Sequence, residues 1–398
     1  MEWRTQRDAP FEKILTVAAG LLFFASLYNG SFLLFFLFVL CGSAVAFPSY
    51  YFKYVEQNVK LANPRQTVRL FAGDKDTFFI RMANEGRWPV FSGTFRFILD
   101  HHIECRGIHK EAGGRNQNSY SFPFHLEKGA SHRAMVEIKG VKRGVARFRG
   151  IHLAVRDFFA LDRLVLTYDP LYRTEVIVYP ELLPVAGLER VKTLEQGNRP
   201  REFSLDEDLT SPTGTRSYVS SDPFNRIHWK ASAKTGALQT KVFEKTAGMK
   251  WVLLLNIARE RAYAADLERE ISCLAYICKY AAEQGIPFEM YVNVKTRGKG
   301  EIMHLYAGEG SEQLAKAFEL LARVDLSSVT VPASRLLAYA DRKHVRNPTM
   351  ILCHLSHQDD HAGILQKWKK EGYGLYGVEH GEHGSYLTNV AKRKAVSS

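Results

Sequence analysis

Residues 14 to 52 decide the architecture of this chain: Ile14-Leu-Thr-Val-Ala-Ala-Gly-Leu-Leu-Phe-Phe-Ala-Ser-Leu-Tyr28-Asn29-Gly30-Ser31-Phe-Leu-Leu-Phe-Phe-Leu-Phe-Val-Leu-Cys-Gly-Ser-Ala-Val-Ala-Phe47-Pro-Ser-Tyr-Tyr-Phe52. No Asp, Glu, Lys, Arg or His interrupts them. A single helix over Ile14–Phe47 would be about 50 Å long, against a hydrocarbon core of about 30 Å. The run therefore needs a break, and Tyr28-Asn29-Gly30-Ser31 is a turn signal that divides it into Ile14–Tyr28 and Ser31–Phe47. This predicts a tight helical hairpin that crosses the bilayer twice. Arg4, Arg7 and Lys13 precede it and Lys53, Lys60, Arg65 and Arg69 follow it, which places both ends in the cytoplasm. The apolar stretch is too long for a secretory signal. Residues 1–53 are thus read as a transmembrane hairpin with a short N-terminal tail, in a multi-pass protein of the cell membrane with cytoplasmic soluble domains.

The rest of the 398 residues suffices for two or three domains. With 46% hydrophobic and 24% charged residues the chain is composed as a folded protein, which excludes wholesale disorder. A net charge of +12 calls for an anionic partner. The basic residues are dispersed and the chain is tethered to a bilayer, so membrane lipid headgroups account for the charge better than nucleic acid. Cys41 falls in the membrane segment, and Cys105, Cys273, Cys278 and Cys353 are scattered without C-x-x-C spacing, as expected of reduced packing thiols.

Residues 54–185 alternate in short runs between turn formers: Thr67–Phe71, Thr77–Met82, Gly93–Leu99, Ala134–Ile138 and Thr174–Tyr179. The spacing predicts a β-sandwich, used as a spacer or for protein binding. Lys142-Arg-Gly-Val-Ala-Arg-Phe-Arg149 is either a solvated hairpin face or a contact for anionic headgroups or an acidic partner. Residues 186–215 lose periodicity and read as a linker.

Over residues 247–386 strands and helices alternate. Trp251–Leu255 is a continuous apolar strand; Ala265–Gln284 has helical spacing at Leu267, Ile271, Leu274, Ile277, Cys278 and Ala281; strands at Pro287–Val294, Thr349–Cys353 and Leu375–Val378 and helices near 311–322, 333–345 and 358–371 follow. This predicts a mostly parallel, Rossmann-like α/β sheet covered on both faces. Residues 387–398 are a basic tail.

Between linker and sheet, residues 216–246 open with Arg216-Ser-Tyr-Val-Ser-Ser-Asp-Pro-Phe-Asn-Arg-Ile-His-Trp-Lys-Ala-Ser-Ala-Lys-Thr-Gly-Ala-Leu238. This run resembles the signature of the bacterial family called domain of unknown function 58. There an R-x-Y…D…R-x-I-H-W-x-x-S-A-[RK]-x-G-x-L pattern precedes a von Willebrand factor A-like domain. The matching positions are Arg216, Tyr218, Asp222, Arg226, Ile227, His228, Trp229, Ser232, Ala233, Lys234, Gly236 and Leu238, although Arg226 adjoins Ile227 directly. Lys142–Phe148 and Val155–Leu161 resemble two further family stretches, with Phe158 and Ala160 where Pro and Gly are usual.

The resemblance implies a membrane helical hairpin, an all-β sandwich and a von Willebrand factor A-like α/β domain. It also implies partners, a MoxR-type AAA+ ATPase and a membrane protein with a transglutaminase-like domain. Such A-like domains often hold a divalent cation through D-x-S-x-S and a later carboxylate. Here Asn256, Ala258 and Glu260 occupy the first loop and Leu355 the second place, which predicts a degenerate metal site and no cofactor.

In the signature, His228 and Trp229 are either a binding surface or packing anchors. Arg216, Arg226 and Asp222 are either a charge network that fixes the segment or a grip on an acidic peptide. Ser220, Ser221 and Ser232 stand in no G-x-S-x-G elbow, and no phosphate loop or dinucleotide fingerprint occurs. His354, His357 and His361, or His380 and His383, are a rival zinc reading that lacks H-E-x-x-H. The expectation is a non-enzymatic, membrane-anchored adaptor that recruits protein partners at the cytoplasmic face. The alternative is a hydrolase using His228 with Asp222, or the C-terminal histidines.

Overall fold

The protein is described by a computed structural model over residues 3–62, 65–111, 114, 117–157, 162–191, 207–219, 222–245, 250–257, 264–296, 302–325, 327–343, 348–353, 362–382 and 384–390. It divides into two compact units, residues 1–181 with 321–325, and residues 182–320 with 326–398.

The first unit opens with strand β1 (Trp3–Asp8), helix α1 (Pro10–Asn29) and helix α2 (Phe32–Asn58). Gly30 ends α1 in the left-handed region, at φ 57°, where a side chain would be strained, so the break sits at the turn signal. The rings of Phe23 and Phe38 lie 5.0 Å apart, which packs the two helices side by side. Among the described residues one helix, α2, is long and apolar enough to cross a membrane. Its C-terminal turns join the sheets of this unit: Tyr51, Phe52 and Val55 are buried in the core.

Strands follow as β2 (Val59–Leu61), β3 (Thr67–Phe71), β4 (Lys75–Asn84), β5 (Val90–Asp100), β6 (Ile103–Arg106) and β7 (His109–Glu111). Then come β8 (Gln117–Leu126), β9 (Ser131–Gly140), β10 (Gly144–Arg156), β11 (Arg163–Tyr168) and β12 (Glu175–Tyr179). One sheet has the order β1-β11-β10-β5-β8-β7, with β12 joining β10 to β3; the other has the order β2-β4-β9-β6. Period-two alternation turns Phe78, Ile80 and Met82 of β4 and Phe95, Phe97 and Leu99 of β5 inward. Phe78 meets Phe148 edge-on at 4.8 Å between the sheets. The opposite phase sends Thr94 and Arg96 of β5, His152 of β10 and Arg163 and Val165 of β11 to the outer face.

Within this unit Arg143, in the basic run read as a hairpin face or contact site, donates to the carbonyl oxygens of Leu321 and Val324. Arg149 pairs with Asp100 at 3.6 Å.

The second unit contains β13 (Val185–Ala186), β14 (Glu207–Ser217), helix α3 (Trp229–Thr235), β15 (Gln239–Lys245), β16 (Trp251–Leu255), α4 (Ala264–Glu283) and β17 (Phe288–Val292). Next are β18 (Met303–Gly308), α5 (Gly310–Arg323, whose last residues from Leu321 belong to the first unit), α6 (Ala333–Lys343), β19 (Thr349–Cys353), α7 (Ala362–Lys370), β20 (Gly374–Gly381) and β21 (Gly384–Asn389). The seven-stranded sheet runs β13-β21-β20-β19-β16-β17-β18. Every residue of β16, β17 and β19 is buried, as suits their largely apolar sequences, and Glu289 of β17 is paired there with Lys250 at 3.2 Å.

This corrects the expected fold class. The chain is predominantly β, in four sheets, and the second unit is not the Rossmann-like, von Willebrand factor A-like α/β domain that the sequence suggests. Its sheet is mixed: β18 runs antiparallel to β17, β21 runs antiparallel to β20, and β14 and β15 form a separate antiparallel ribbon. None of the added strands carries a continuous apolar run: β14, β15 and β21 are largely polar, and His304 interrupts the six residues of β18. Strand β14 also occupies the end of the stretch read as a linker, and β21 reaches into the stretch read as tail.

Candidate functional site

The signature residues assemble into a small module on the β14–β15 ribbon. Asp222 is its hub. Its carboxylate accepts two bonds from the Arg216 guanidinium, at 2.8 and 2.5 Å, one from the Val219 N–H at 3.1 Å and one from the Thr240 hydroxyl at 3.0 Å. These donors, led by Arg216, pull its pKa down to about 2. Ile227 is buried and bridges to Thr240, and the His228 N–H donates to Gln239 O at 2.8 Å.

His228 is the N-cap of α3. Its Nδ1 accepts the Ala231 N–H at 3.1 Å, so this ring nitrogen is used in holding the helix start. Ser232 donates its hydroxyl to His228 O at 3.1 Å and accepts the Gln239 N–H at 2.8 Å, which ties helix to ribbon. Gly236 closes α3 in the left-handed region at φ 70°. Arg226 lies in a 3-10 turn, Phe224–Arg226, and Lys234 lies in the last turn of α3, where its charge suits the helix dipole.

The structure separates two groups within the signature. Arg216, Asp222, His228 and Ser232 are scaffold. Trp229 is not a packing anchor: it is 62% exposed, and Phe224, five positions earlier, is 69% exposed, with the edge of Tyr218 against the Phe224 ring at 6.3 Å. Val219 and Leu238 are also exposed. Within twenty residues the module thus shows four large apolar side chains among Arg226, Lys230 and Lys234. His228 and Asp222, which the hydrolase reading pairs, have different hydrogen-bond partners.

At the expected metal loop, Asn256 is buried and its Oδ1 accepts from Asn293 Nδ2 at 2.6 Å; Ala258, Glu260 and Leu355 lie outside the described residues. So do Phe158, Ala160, Ser220, Ser221, His354, His357, His361 and His383. No cluster of three metal-ligating side chains occurs among the described residues.

His380 is described, and it belongs to a chain of polar groups that sequence reasoning missed. Its Nε2 lies 2.9 Å from Glu270 Oε1, its Nδ1 lies 2.9 Å from Ser385 Oγ, and Cys273 Sγ lies 3.2 Å from the same Oγ. Glu270 and Cys273 are on α4, His380 on β20 and Ser385 directly opposite it on β21. Burial raises the pKa of the Glu270 carboxyl, and the neighbouring imidazole pulls it back. With Nε2–H donated to the carboxylate, Nδ1 is left to accept the serine proton. Residues 110 positions apart carry no common motif, so only the tertiary structure brings them together.

No protein-family model matches the chain. It is similar to the uncharacterized protein YeaD of Bacillus subtilis (strain 168), at 22% identity over 282 residues, which span 69% of this chain and 66% of that protein. Among solved structures, CaCohA2 of Clostridium acetobutylicum aligns with 30% of this chain and 90% of its own, at 10% identity and a TM-score of 0.20. A non-cellulosomal cohesin of Archaeoglobus fulgidus aligns with 36% of this chain and 99% of its own, at 9% identity and a TM-score of 0.20.

Proposed function

We propose that this chain is a non-enzymatic, membrane-anchored adaptor whose signature module recruits a protein partner at the cytoplasmic face. The observation that carries the reading is the exposure of Phe224 and Trp229 on a module that Arg216, Asp222, His228 and Ser232 hold rigid. Solvated aromatics on a pre-organised loop lose little entropy on binding, and aromatic side chains dominate interface energetics. The lysines and Arg226 around them suit a partner surface that is apolar with an acidic rim. Family resemblance supplies the partner class, a MoxR-type AAA+ ATPase, with a transglutaminase-like membrane protein as a further companion.

The anchor in this reading is the α1–α2 hairpin, with both ends cytoplasmic, as Arg4, Arg7, Lys13, Lys53 and Lys60 favour. The test is capture of a purified MoxR-type ATPase by the detergent-solubilised full chain. Phe224→Ala with Trp229→Ala should abolish capture without lowering the melting temperature. Undiminished capture by that variant sinks the reading.

The Glu270–His380–Ser385 chain favours a second reading, a hydrolase of the C-terminal histidine region with Ser385 as nucleophile. A fluorophosphonate probe that labels the native chain but not Ser385→Ala would support it; no labelling above that variant would remove it.

A further inference from the structure

We propose that the outer face of the first unit binds the phosphate of an anionic phospholipid headgroup, at Arg156 and Arg163, in a groove that runs up to His152 and Arg96. The groove encloses about 270 Å³ and is lined by Thr94, Arg96, His152, Ala154, Arg163 and Val165. Strand register explains its shape. Ala154 lies between Thr94 and Val165, and these short side chains form the floor. Two residues further along β10, on the same face, His152 lies beside Arg96; two residues in the other direction Arg156 lies directly opposite Arg163.

That last pair needs an explanation. Like charges directly opposite on adjacent strands destabilise a sheet. Both side chains are exposed, and among the described residues neither has an ion-pair partner. Carboxylates do face the groove from neighbouring strands: Asp8 of β1 is the cross-strand neighbour of Arg163, and Glu111 of β7 pairs with Arg96 at 2.9 Å. Against these stand three guanidinium groups, with the His152 ring held by the Thr167 hydroxyl through Nδ1 at 3.0 Å. The face is cationic at its lower end.

Position identifies the anion. The strand ends that carry Arg156 and Arg163 point at the membrane helices. Asp8, opposite Arg163, is two residues from the start of α1 at Pro10. Arg7 donates to the Ser49 hydroxyl of α2 at 2.8 Å, and Trp88, just before β5, packs on Phe47, the end of the apolar run, at 5.5 Å. On the membrane-anchored reading, on which this proposal rests, the rim of the sheet therefore stands at headgroup depth, where basic residues meet lipid phosphates. From Arg156 to His152 the strand rises about 13 Å. A bare phosphate meets one end of the groove, whereas a phosphodiester with a polar extension reaches both.

The experiment measures calorimetric binding to the full-length chain in uncharged detergent. The probes are dihexanoyl phosphatidylglycerol, dihexanoyl phosphatidylcholine and inorganic phosphate, against wild type and an Arg156→Gln, Arg163→Gln double variant. Wild type should bind the phosphatidylglycerol, and the double variant should bind it about thirtyfold more weakly. Its melting temperature without lipid should not fall, because a like-charge pair has been relieved. Arg96→Gln, which touches the far end, should weaken the phosphatidylglycerol and leave inorganic phosphate unchanged. Equal phosphatidylglycerol binding by wild type and double variant overturns the site. Equal wild-type affinity for inorganic phosphate, or for phosphatidylcholine, overturns the headgroup assignment. Carbonate extraction of native membranes reads the anchor separately: release of the chain would fault the membrane reading even if the soluble lipid binds.

Discussion

Arg216 holds Asp222 with both terminal nitrogens of its guanidinium, and this fork fixes the signature loop to the first strand of its ribbon. The same carboxylate gathers the Val219 N–H and the Thr240 hydroxyl, so one ionised group organises the display of Phe224 and Trp229.

Acid should open this module first. The Asp222 carboxyl titrates at about 2 when folded and near 3.8 when free. Because the folded value is the lower, the stabilisation is fully present above about pH 4 and is lost as pH falls toward 2. Amide protection at Val219, corrected for intrinsic exchange, should drop across that window. In Asp222→Asn it should be low throughout.

Ser232→Ala removes a bond at each end of the hydroxyl and leaves the Gln239 N–H without its acceptor. The expected cost is about 1–3 kcal/mol of module stability. Hydrogen exchange at Gln239 and Gly236 reads it; unchanged protection would show that α3 is held by other contacts.

The sandwich core depends on Phe97, which is fully buried against Phe78, Tyr120 and Phe148. Phe97→Ala should destabilise the first unit by about 3–5 kcal/mol, and Met135→Ala, at an exposed position, by about 0.5 kcal/mol or less. Chemical denaturation monitored by circular dichroism distinguishes the two.

His380→Ala strips the buried Glu270 carboxylate of its partner, with an expected loss of about 3–5 kcal/mol in the second unit. Glu270→Leu in the same background should recover most of it. A double-mutant cycle on the melting transition measures the coupling, and additive losses would deny it.

If both helices cross the membrane, Ser31→Cys in a Cys41→Ala background should react with an impermeant maleimide on intact cells, and Ser217→Cys should not. Labelling of Ser217→Cys alone would invert the topology.

Much of the local structure was legible because apolar periodicity is a local property. Thr67–Phe71 and Thr349–Cys353 form strands over the spans that their residues suggest, and the helix read at Ala265–Gln284 forms at Ala264–Glu283. The turn at Asn29-Gly30 breaks the apolar run as its composition requires. Strands β18 and β21 were illegible because they lie toward the sheet margins and have no fully buried position, so no alternation of buried apolar and exposed polar residues marks them. Without them the sheet reads as mostly parallel, whereas β18 and β21 make it mixed.

By itself, then, the sequence determined the apolar N-terminal run, the buried strands and helices, and a polar-aromatic signature, because each depends on neighbours within a few positions. The tertiary structure decided the rest. It sorted the signature into a scaffold built on Asp222 and a display built on Phe224 and Trp229, joined Glu270 to His380 and Ser385, and set Arg156 opposite Arg163. The physical reason is that hydrogen bonds and charge pairs are selected by strand register and helix docking, which only the folded chain supplies.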